Sequence, residues 1–268
     1  MSFAAVNGAS LYYESAGEGE ALVFIHAGIA DSRMWNIQYE AFTRTHHAIR
    51  YDMRGYGKSP LVPGQYARYE DLHALLDELN IKKAVLVGCS LGGSTAIDFA
   101  LAYPRRVRAV VGVNTALTGY QQEWEETPLI QAMEEAEEEA EKTGDLSRLC
   151  ELEVQFWVAG PNRSMSVLSD DVRALAYEMN MIALKGDFYE EAEAVPLSPP
   201  AAERLDQLTC PLLLIQGEDD TEMTYNRLAY MQENAPDAQL ITMPGAHLPN
   251  MEHPAQFNQI LRDFLDSL

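Results

Sequence analysis

Hydrophobic positions in the first 114 residues form short, nearly unbroken runs separated by stretches with helical spacing. Phe3–Val6 and Leu11–Glu14 flank Asn7-Gly8, a dipeptide suited to a tight turn between paired strands. Ala21–His26 (ALVFIH) is almost wholly apolar and reads as a strand buried on both faces. Ala48–Tyr51 leads into the glycine-punctuated loop Asp52-Met53-Arg54-Gly55-Tyr56-Gly57. Tyr69, Leu72, Leu76 and Leu79 then recur at the spacing of an amphipathic helix. Ala84–Val87 (AVLV) predicts another buried strand, Leu91–Tyr103 a helix of apolar and small residues stopped by Pro104, and Val107–Val113 a further strand.

This rhythm breaks between residues 115 and 200. That segment holds long helical stretches, no convincing strand and a glutamate-dense run from Glu134 to Glu141, and it ends in Pro196-Leu197-Ser198-Pro199-Pro200. Alternation resumes with the strand Leu212–Gln216, the helix Tyr225–Glu233 and the strand Gln239–Met243. The last helix aligns Phe257, Ile260, Leu261, Phe264, Leu265 and Leu268 on one face. Strands alternating with helices imply an α/β protein with a mostly parallel sheet covered by helices on both faces, because crossover helices must pack there. The expected organisation is one core domain, residues 1–114 and 201–268, with a helical insertion at 115–200 after the sixth strand.

Composition narrows the class of function. The chain has 268 residues, 47% of them hydrophobic, which suits one sizeable core and excludes wholesale disorder. Its 41 acidic and 19 basic residues leave a net charge of −22, which argues against nucleic acids and anionic membranes as partners. No apolar run approaches the roughly 18–20 residues of a spanning helix, and Met1–Val6 lacks the basic start of a secretion signal. Three cysteines (Cys89, Cys150 and Cys210) cannot all pair, so the expected compartment is the reducing cytoplasm. The expected partner is a small molecule, with monomer and homodimer both open.

The strongest chemical signal is Gly88-Cys89-Ser90-Leu91-Gly92, followed by Gly93, set between the AVLV strand and the Leu91–Tyr103 helix. A sharp strand-to-helix turn there lifts the Ser90 hydroxyl clear of the sheet edge and next to a helix N-terminus, as a nucleophile elbow requires. Serine needs a base. Among His26, His46, His47, His73, His247 and His253, His247 is the best placed, because it follows the strand Gln239–Met243 at the same sheet edge. The base in turn needs a carboxylate to fix its tautomer. Gly217-Glu218-Asp219-Asp220 follows Leu212–Gln216 and offers Asp219 or Asp220, which spacing alone does not separate, whereas Asn114 after Val113 carries no charge.

With these residues in view, the chain from Ala21 onward resembles the α/β-hydrolase fold family. The matching segments are IHAGIADSRMW (25–35), RYDMRGYGKS (50–59), GCSLGG (88–93), PLLLIQGEDD (211–220) and PGAHLPNMEHP (244–254). The resemblance implies Asp220 as the acid and an oxyanion hole built from the backbone N–H groups of Leu91 and Gly28. It also implies that His26 orients the loop that follows it. One departure is visible: the family's His-Gly pair reads His26-Ala27 here. A serine at the elbow argues against the epoxide hydrolases and haloalkane dehalogenases of the family, which attack through aspartate. The SRMW and RYDMRGYGKS stretches look closest to small bacterial carboxylesterases and 3-oxoadipate enol-lactonase-like hydrolases.

The expected activity is hydrolysis of small, neutral carboxylic esters through an acyl-enzyme on Ser90, with no cofactor and no metal. Lactonase, thioesterase, C–C hydrolase, aminopeptidase and cofactor-free perhydrolase activities would use the same residues. A receptor-like protein that keeps the fold with little turnover is the non-enzymatic alternative. Trp35, Trp124, Phe156, Trp157 and Met179 are candidates to line an acyl pocket, although each also suits ordinary packing. Gly57-Lys58-Ser59 lacks the first glycine of a phosphate-binding loop, no zinc-ligand set is present, and Cys89 reads as an inward-packing small residue. Residues 115–200 carry 19 acidic and 5 basic residues, so −14 of the net −22 lies on the insertion, where it would disfavour anionic substrates.

Overall fold

The computed structural model describes residues 2–121, 127–186 and 192–268. β1 (Ser2–Val6) and β2 (Ala9–Ala16) form an antiparallel hairpin. Asn7 and Gly8 at its turn both take positive φ, 45° and 78°, the geometry that suits right-twisted strands. β3 (Ala21–Ile25) follows, then a 3-10 turn at Ser32–Trp35, α1 (Asn36–Phe42) and β4 (His47–Tyr51). Next come the short β5 (Gly64–Tyr66), α2 (Arg68–Glu78), β6 (Ala84–Cys89), α3 (Leu91–Ala102) and β7 (Val107–Val113). The insertion contains α4 (Pro128–Thr143), α5 (Leu146–Glu153), a π-helical turn at Val154–Ala159, α6 (Asp170–Gly186) and β8 (Ala192–Ala194). β9 (Leu212–Gly217), α7 (Glu222–Asn234), β10 (Ala238–Met243), α8 (Pro249–Glu252) and α9 (Pro254–Asp266) complete the chain.

Eight strands form one sheet in the order β1-β2-β4-β3-β6-β7-β9-β10, antiparallel at its first two pairings and parallel from β4 to β10. Register positions the site. Ile25 pairs with Gly88, Cys89 with Val113, Val113 with Ile215, and Gly217 with Met243. The loops that begin at residues 26, 90, 114, 218 and 244 therefore leave the sheet along one edge.

Each strand feeds two cores, because successive side chains point to opposite faces. Val23, Ile25, Leu86 and Leu214 pack with Leu72, Leu75, Phe99 and Leu228 on one face. Leu22, Phe24, Val85, Val87 and Leu213 pack with Trp35, Phe42, Phe257 and Leu261 on the other. The second core continues into the insertion through Leu149, Cys150, Val154, Val158 and Met179, so the insertion shares a hydrophobic interior with the sheet.

The structure differs from the sequence reading in one respect. Residues 115–200 do contain a strand: β8 pairs in parallel with β5, with Gly64 opposite Ala192 and Tyr66 opposite Ala194. Three residues of mixed polarity on a two-stranded ribbon leave no periodic signal to read. β5 lies outside the main sheet, so the insertion follows the sixth strand of that sheet and the seventh of the chain. Among the described residues no helix is long and apolar enough to cross a membrane.

Candidate active site

Ser90 sits between β6 and α3 with φ 51° and ψ −115°, a conformation that costs a non-glycine residue on the order of 1–3 kcal/mol. Surrounding hydrogen bonds hold it there. Its N–H donates to the Val113 carbonyl (2.9 Å), and its carbonyl accepts from the N–H groups of Ala116 (3.0 Å) and Ser94 (3.1 Å). The glycines around it are steric requirements. A Cβ on Gly88 would lie 2.2 Å from the Gly92 carbonyl oxygen, and one on Gly92 would lie 2.3 Å from that of Ile25. At Gly93 the clash would be with the Thr115 hydroxyl, at 2.0 Å.

At the same edge, His247 Nδ1 lies 2.6 Å from Asp220 Oδ2, and both residues are buried. The other Asp220 oxygen accepts from the Thr221 N–H (2.7 Å) and the Thr224 hydroxyl (3.3 Å), which fixes the carboxylate before any substrate arrives. Asp219 is engaged elsewhere: its Oδ2 accepts from Arg163 Nη1 at 2.9 Å. The two neighbouring aspartates thus face different partners, and the Asp220 pairing is the one the resemblance implies.

Several residues besides Ser90, Asp220 and His247 bring the three loops together, among them Cys89, which is buried as its reading as an inward-packing small residue implies. Asn114, with φ 41° and no exposure, donates from Nδ2 to the carbonyls of Ala246 (2.9 Å) and His247 (3.1 Å) and accepts from the Gly217 N–H (2.9 Å). The thiol of Cys89 donates to the His247 carbonyl at 3.4 Å, so the residue before Ser90 touches the histidine loop. Burial pushes that thiol well above its ordinary pKa, so Cys89 does not compete as a thiolate. Arg227 on α7 donates to the Thr115 carbonyl (2.8 Å) and the Thr224 hydroxyl (3.3 Å), linking the segment beside Ser90 to the partners of Asp220. Apart from the Arg227–Thr224 contact within α7, these contacts are distant in sequence, and no short motif announces them.

The loop after β3 lies beside α3. A Cβ added to Gly28 would come within 3.6 Å of Leu91 Cδ2 and 3.8 Å of its Cβ, so the two residues expected to supply N–H groups are neighbours. Leu91 opens α3, where the first N–H groups have no intrahelical acceptor. His26 is fully buried, and burial pushes its imidazole below the ordinary range. Neutral, it donates from Nδ1 to the Ala27 carbonyl (2.8 Å) and accepts at Nε2 from the Met53 N–H (2.9 Å), tying this loop to the one after β4. Ala27 is absent from the positive-φ positions, so alanine meets no backbone penalty where the family has glycine. The Asp52 carboxylate accepts from the N–H groups of Ser32 (2.9 Å) and Lys58 (2.8 Å), which gives the RYDMRGYGKS stretch a scaffolding part.

The candidate lining residues fall in different places. Trp157, on the π-helical turn, has its ring 4.8 Å from that of His247, and its carbonyl accepts the His247 N–H at 3.1 Å. Phe156 is buried edge-to-face against Trp157. Trp35 is enclosed between Phe24 and Phe257, with ring centroids at 5.3 and 5.7 Å, and belongs to the core of the scaffold. Met179 is buried on α6 within the interior shared by insertion and sheet. Trp124 lies outside the described residues. Among the described residues no group of three or more His, Cys, Asp or Glu is placed to hold a metal ion.

A mostly parallel sheet with a positive-φ serine after one central strand and an Asp–His pair after the last two defines an α/β architecture with its polar groups gathered at the carboxyl edge. The family model described as the alpha/beta hydrolase family matches residues 22–260, and the chain belongs to that family. It is similar to 3-oxoadipate enol-lactonase 1 of Acinetobacter baylyi, 25% identical over 253 residues that cover 92% of this chain and 89% of the relative. It is also similar to the pimeloyl-[acyl-carrier protein] methyl ester esterase of Nitrosospira multiformis, 28% identical over 258 residues, 92% of this chain and 95% of the relative. The enol-lactonase structure from Burkholderia xenovorans LB400 superposes with a TM-score of 0.78 at 23% identity, covering 99% of this chain and all of that one, and shows the shared fold.

Proposed function

We propose that this α/β hydrolase cleaves small, neutral carboxylic esters through an acyl-enzyme on Ser90. The observation that carries the reading is the Asp220–His247 contact of 2.6 Å at the edge where Ser90 holds φ 51°. With Nδ1–H committed to Asp220, the lone pair of His247 is on Nε2, the nitrogen free to take the Ser90 proton. Attack on the ester carbonyl places negative charge on its oxygen, which the N–H groups of Leu91 and Gly28 receive. His247 then gives its proton to the departing alcohol and activates the water that frees the acid. Asp220 holds the imidazole in the productive tautomer and favours the imidazolium formed at each step.

The insertion at 115–200 is read as a helical cap over this edge. Its excess of acidic residues, 19 against 5 basic, favours neutral acyl and alcohol groups over carboxylated ones, most strongly at low ionic strength. Lactones are the second reading, supported by the similarity to 3-oxoadipate enol-lactonases. A cytoplasmic location is retained from the cysteine usage.

The test joins labelling to turnover. A fluorophosphonate probe should modify Ser90, and Ser90→Ala should lower kcat on nitrophenyl esters by at least about 1000-fold. A panel of esters, lactones, thioesters and peptide amides then ranks the bond types. Absence of labelling together with unchanged ester turnover in Ser90→Ala overturns the mechanism. Faster turnover of a carboxylated ester than of its neutral analogue at low salt overturns the substrate preference.

A further inference from the structure

We infer that Arg163, carried by the insertion, is a positioning residue that locks the acid loop and the histidine loop in register. This rests on the reading of Ser90, His247 and Asp220 given above. Nη1 of Arg163 donates to Asp219 Oδ2 at 2.9 Å, and Nη2 donates to Glu252 Oε2 at 2.6 Å, with Glu252 Oε1 at 3.4 Å from Nη1. Glu252 Oε1 in turn accepts the Ala246 N–H at 2.7 Å. A continuous path therefore runs from the residue before Asp220, through one guanidinium and one carboxylate, to the residue before His247.

The surrounding backbone holds the clamp in place. Gln155 Nε2 donates to the carbonyls of Arg163 (2.7 Å) and Gly160 (3.2 Å), fixing the turn that presents the guanidinium. Gly160 lies against the two loops so closely that a Cβ there would sit 2.9 Å from the Asp219 carbonyl oxygen and 3.2 Å from Ala246 Cβ. The Asp219 N–H donates to the Gly245 carbonyl at 3.0 Å, and the His247 N–H reaches back to Trp157. Residues 155–163 of the insertion are thus built into the site.

Arginine suits this place because a planar fork can serve two carboxylates at fixed angles, whereas an ammonium is a single point charge. The side chain of Glu252 is only 5% exposed, so its charge is weakly screened and needs a fixed counter-charge. Without Arg163, Asp219 is released beside Asp220 and Glu252 loses its cation, and the loop between them loses its anchor. Among the described residues, Asp220 pairs with His247 Nδ1 and the Cys89 thiol donates to the His247 carbonyl; Arg163 holds Asp219 and Glu252 on the adjoining loops, and Arg227 and Tyr225 on α7 interact electrostatically with Asp220. Deleting the Arg163 charge leaves Asp219 and Glu252 uncompensated, which favours the imidazolium.

The experiment compares the wild type with Arg163→Lys, Arg163→Met and the double variant Arg163→Met/Glu252→Gln. It measures the rate of fluorophosphonate labelling of Ser90, kcat and KM on a nitrophenyl ester, the pH profile of kcat/KM and the thermal midpoint. Arg163→Met should lose roughly 10- to 100-fold in kcat and in labelling rate with KM changed by less than about twofold. The acidic limb of its pH profile should move to higher pH. Arg163→Lys should keep the wild-type limb, because the charge remains, and still lose kcat, because the fork does not. The double variant should be no slower than Arg163→Met, since both changes break one path. A folded Arg163→Met that labels and turns over at the wild-type rate overturns the inference alone, as does a loss confined to KM. A wild type that resists labelling, together with a Ser90→Ala variant that keeps its ester turnover, overturns the functional reading and the inference together.

Discussion

The side-chain amide of Asn114 donates to the main-chain carbonyl of His247 at 3.1 Å, so the residue that follows β7 also fixes the loop that carries the histidine. The same side chain accepts from Gly217 and donates to Ala246, and it therefore gathers the ends of three strands at one buried point. An asparagine is the right instrument, since it offers two donors and an acceptor on one short planar group and tolerates the positive φ found there.

Asn114→Ala removes three buried hydrogen bonds and leaves the carbonyls of Ala246 and His247 without that donor. The expected loss is about 2–4 kcal/mol of stability, read from urea unfolding, together with a fall in kcat. Asn114→Asp should be at least as damaging, because a carboxylate would face two carbonyl oxygens.

Asp219 and Asp220 make a sharper comparison. Asp220→Asn should lower kcat by about 1000-fold or more, since an amide in that place does not hold His247 in the productive tautomer. Asp219→Asn leaves the Asp220 contact intact and should cost far less. Equal losses in the two variants, measured side by side on one ester, would remove Asp220 from its assigned role.

Trp157 presents its ring 4.8 Å from that of His247 and is half-buried. A cationic imidazole is attracted by an aromatic face, by about 0.5–1 kcal/mol at partly exposed sites. Trp157→Leu should therefore lower kcat/KM by roughly two- to fivefold. A series of esters of graded acyl length would show whether the ring also touches substrate, through a change in chain-length preference.

Acidity on the insertion leads to a stability prediction. Burial, with the charges of Glu153, Glu141 and Glu134, pushes Glu137 up from 4.5 to about 7. A raised carboxyl pKa means that the folded state holds a proton the unfolded chain has lost. Stability from this group is therefore intact below about pH 4.5, falls as pH rises towards 7, and stays reduced above it. Glu137→Gln mimics the protonated form and should stabilise the protein by on the order of 1 kcal/mol at pH 8, after allowance for solvent screening, with no gain at pH 4. Thermal midpoints of the two proteins across this range would show the gap opening as pH rises.

Gly88 and Gly92 test the packing of the elbow. Alanine at either position would force a methyl group onto a backbone oxygen that has no room to move. Each should cost about 3 kcal/mol or more and reduce soluble yield, whereas Ala27→Gly should leave stability within about 1 kcal/mol. Unfolding midpoints of purified variants would separate the two cases.

Much of the framework was legible in the chain itself. The runs ALVFIH, AVLV and LLLIQ are too short and too apolar to be other than buried strands, and the glycine pattern at 88–93 already requires a close turn. β8 escaped notice because three residues with no alternation carry no periodic signal. Trp35 was a candidate for the pocket because an aromatic side chain advertises size and not direction. Only the packing of Phe24 and Phe257 around it assigns it to the core.

Sequence by itself determined most of the strand and helix order, the tight glycine turn at Ser90 and the placing of Asp219, Asp220 and His247 after strands, because these follow from periodicity and from short-range steric rules. Tertiary structure decided which aspartate meets His247, and it brought Asn114, Arg163, Trp157 and Arg227 to the same edge. Those contacts join residues between 56 and 133 positions apart in three of these cases, across strand ends that only sheet register aligns. No local pattern encodes such a contact, since hydrogen bonds between loops depend on where the sheet delivers them and on which polar groups burial leaves in need of a partner.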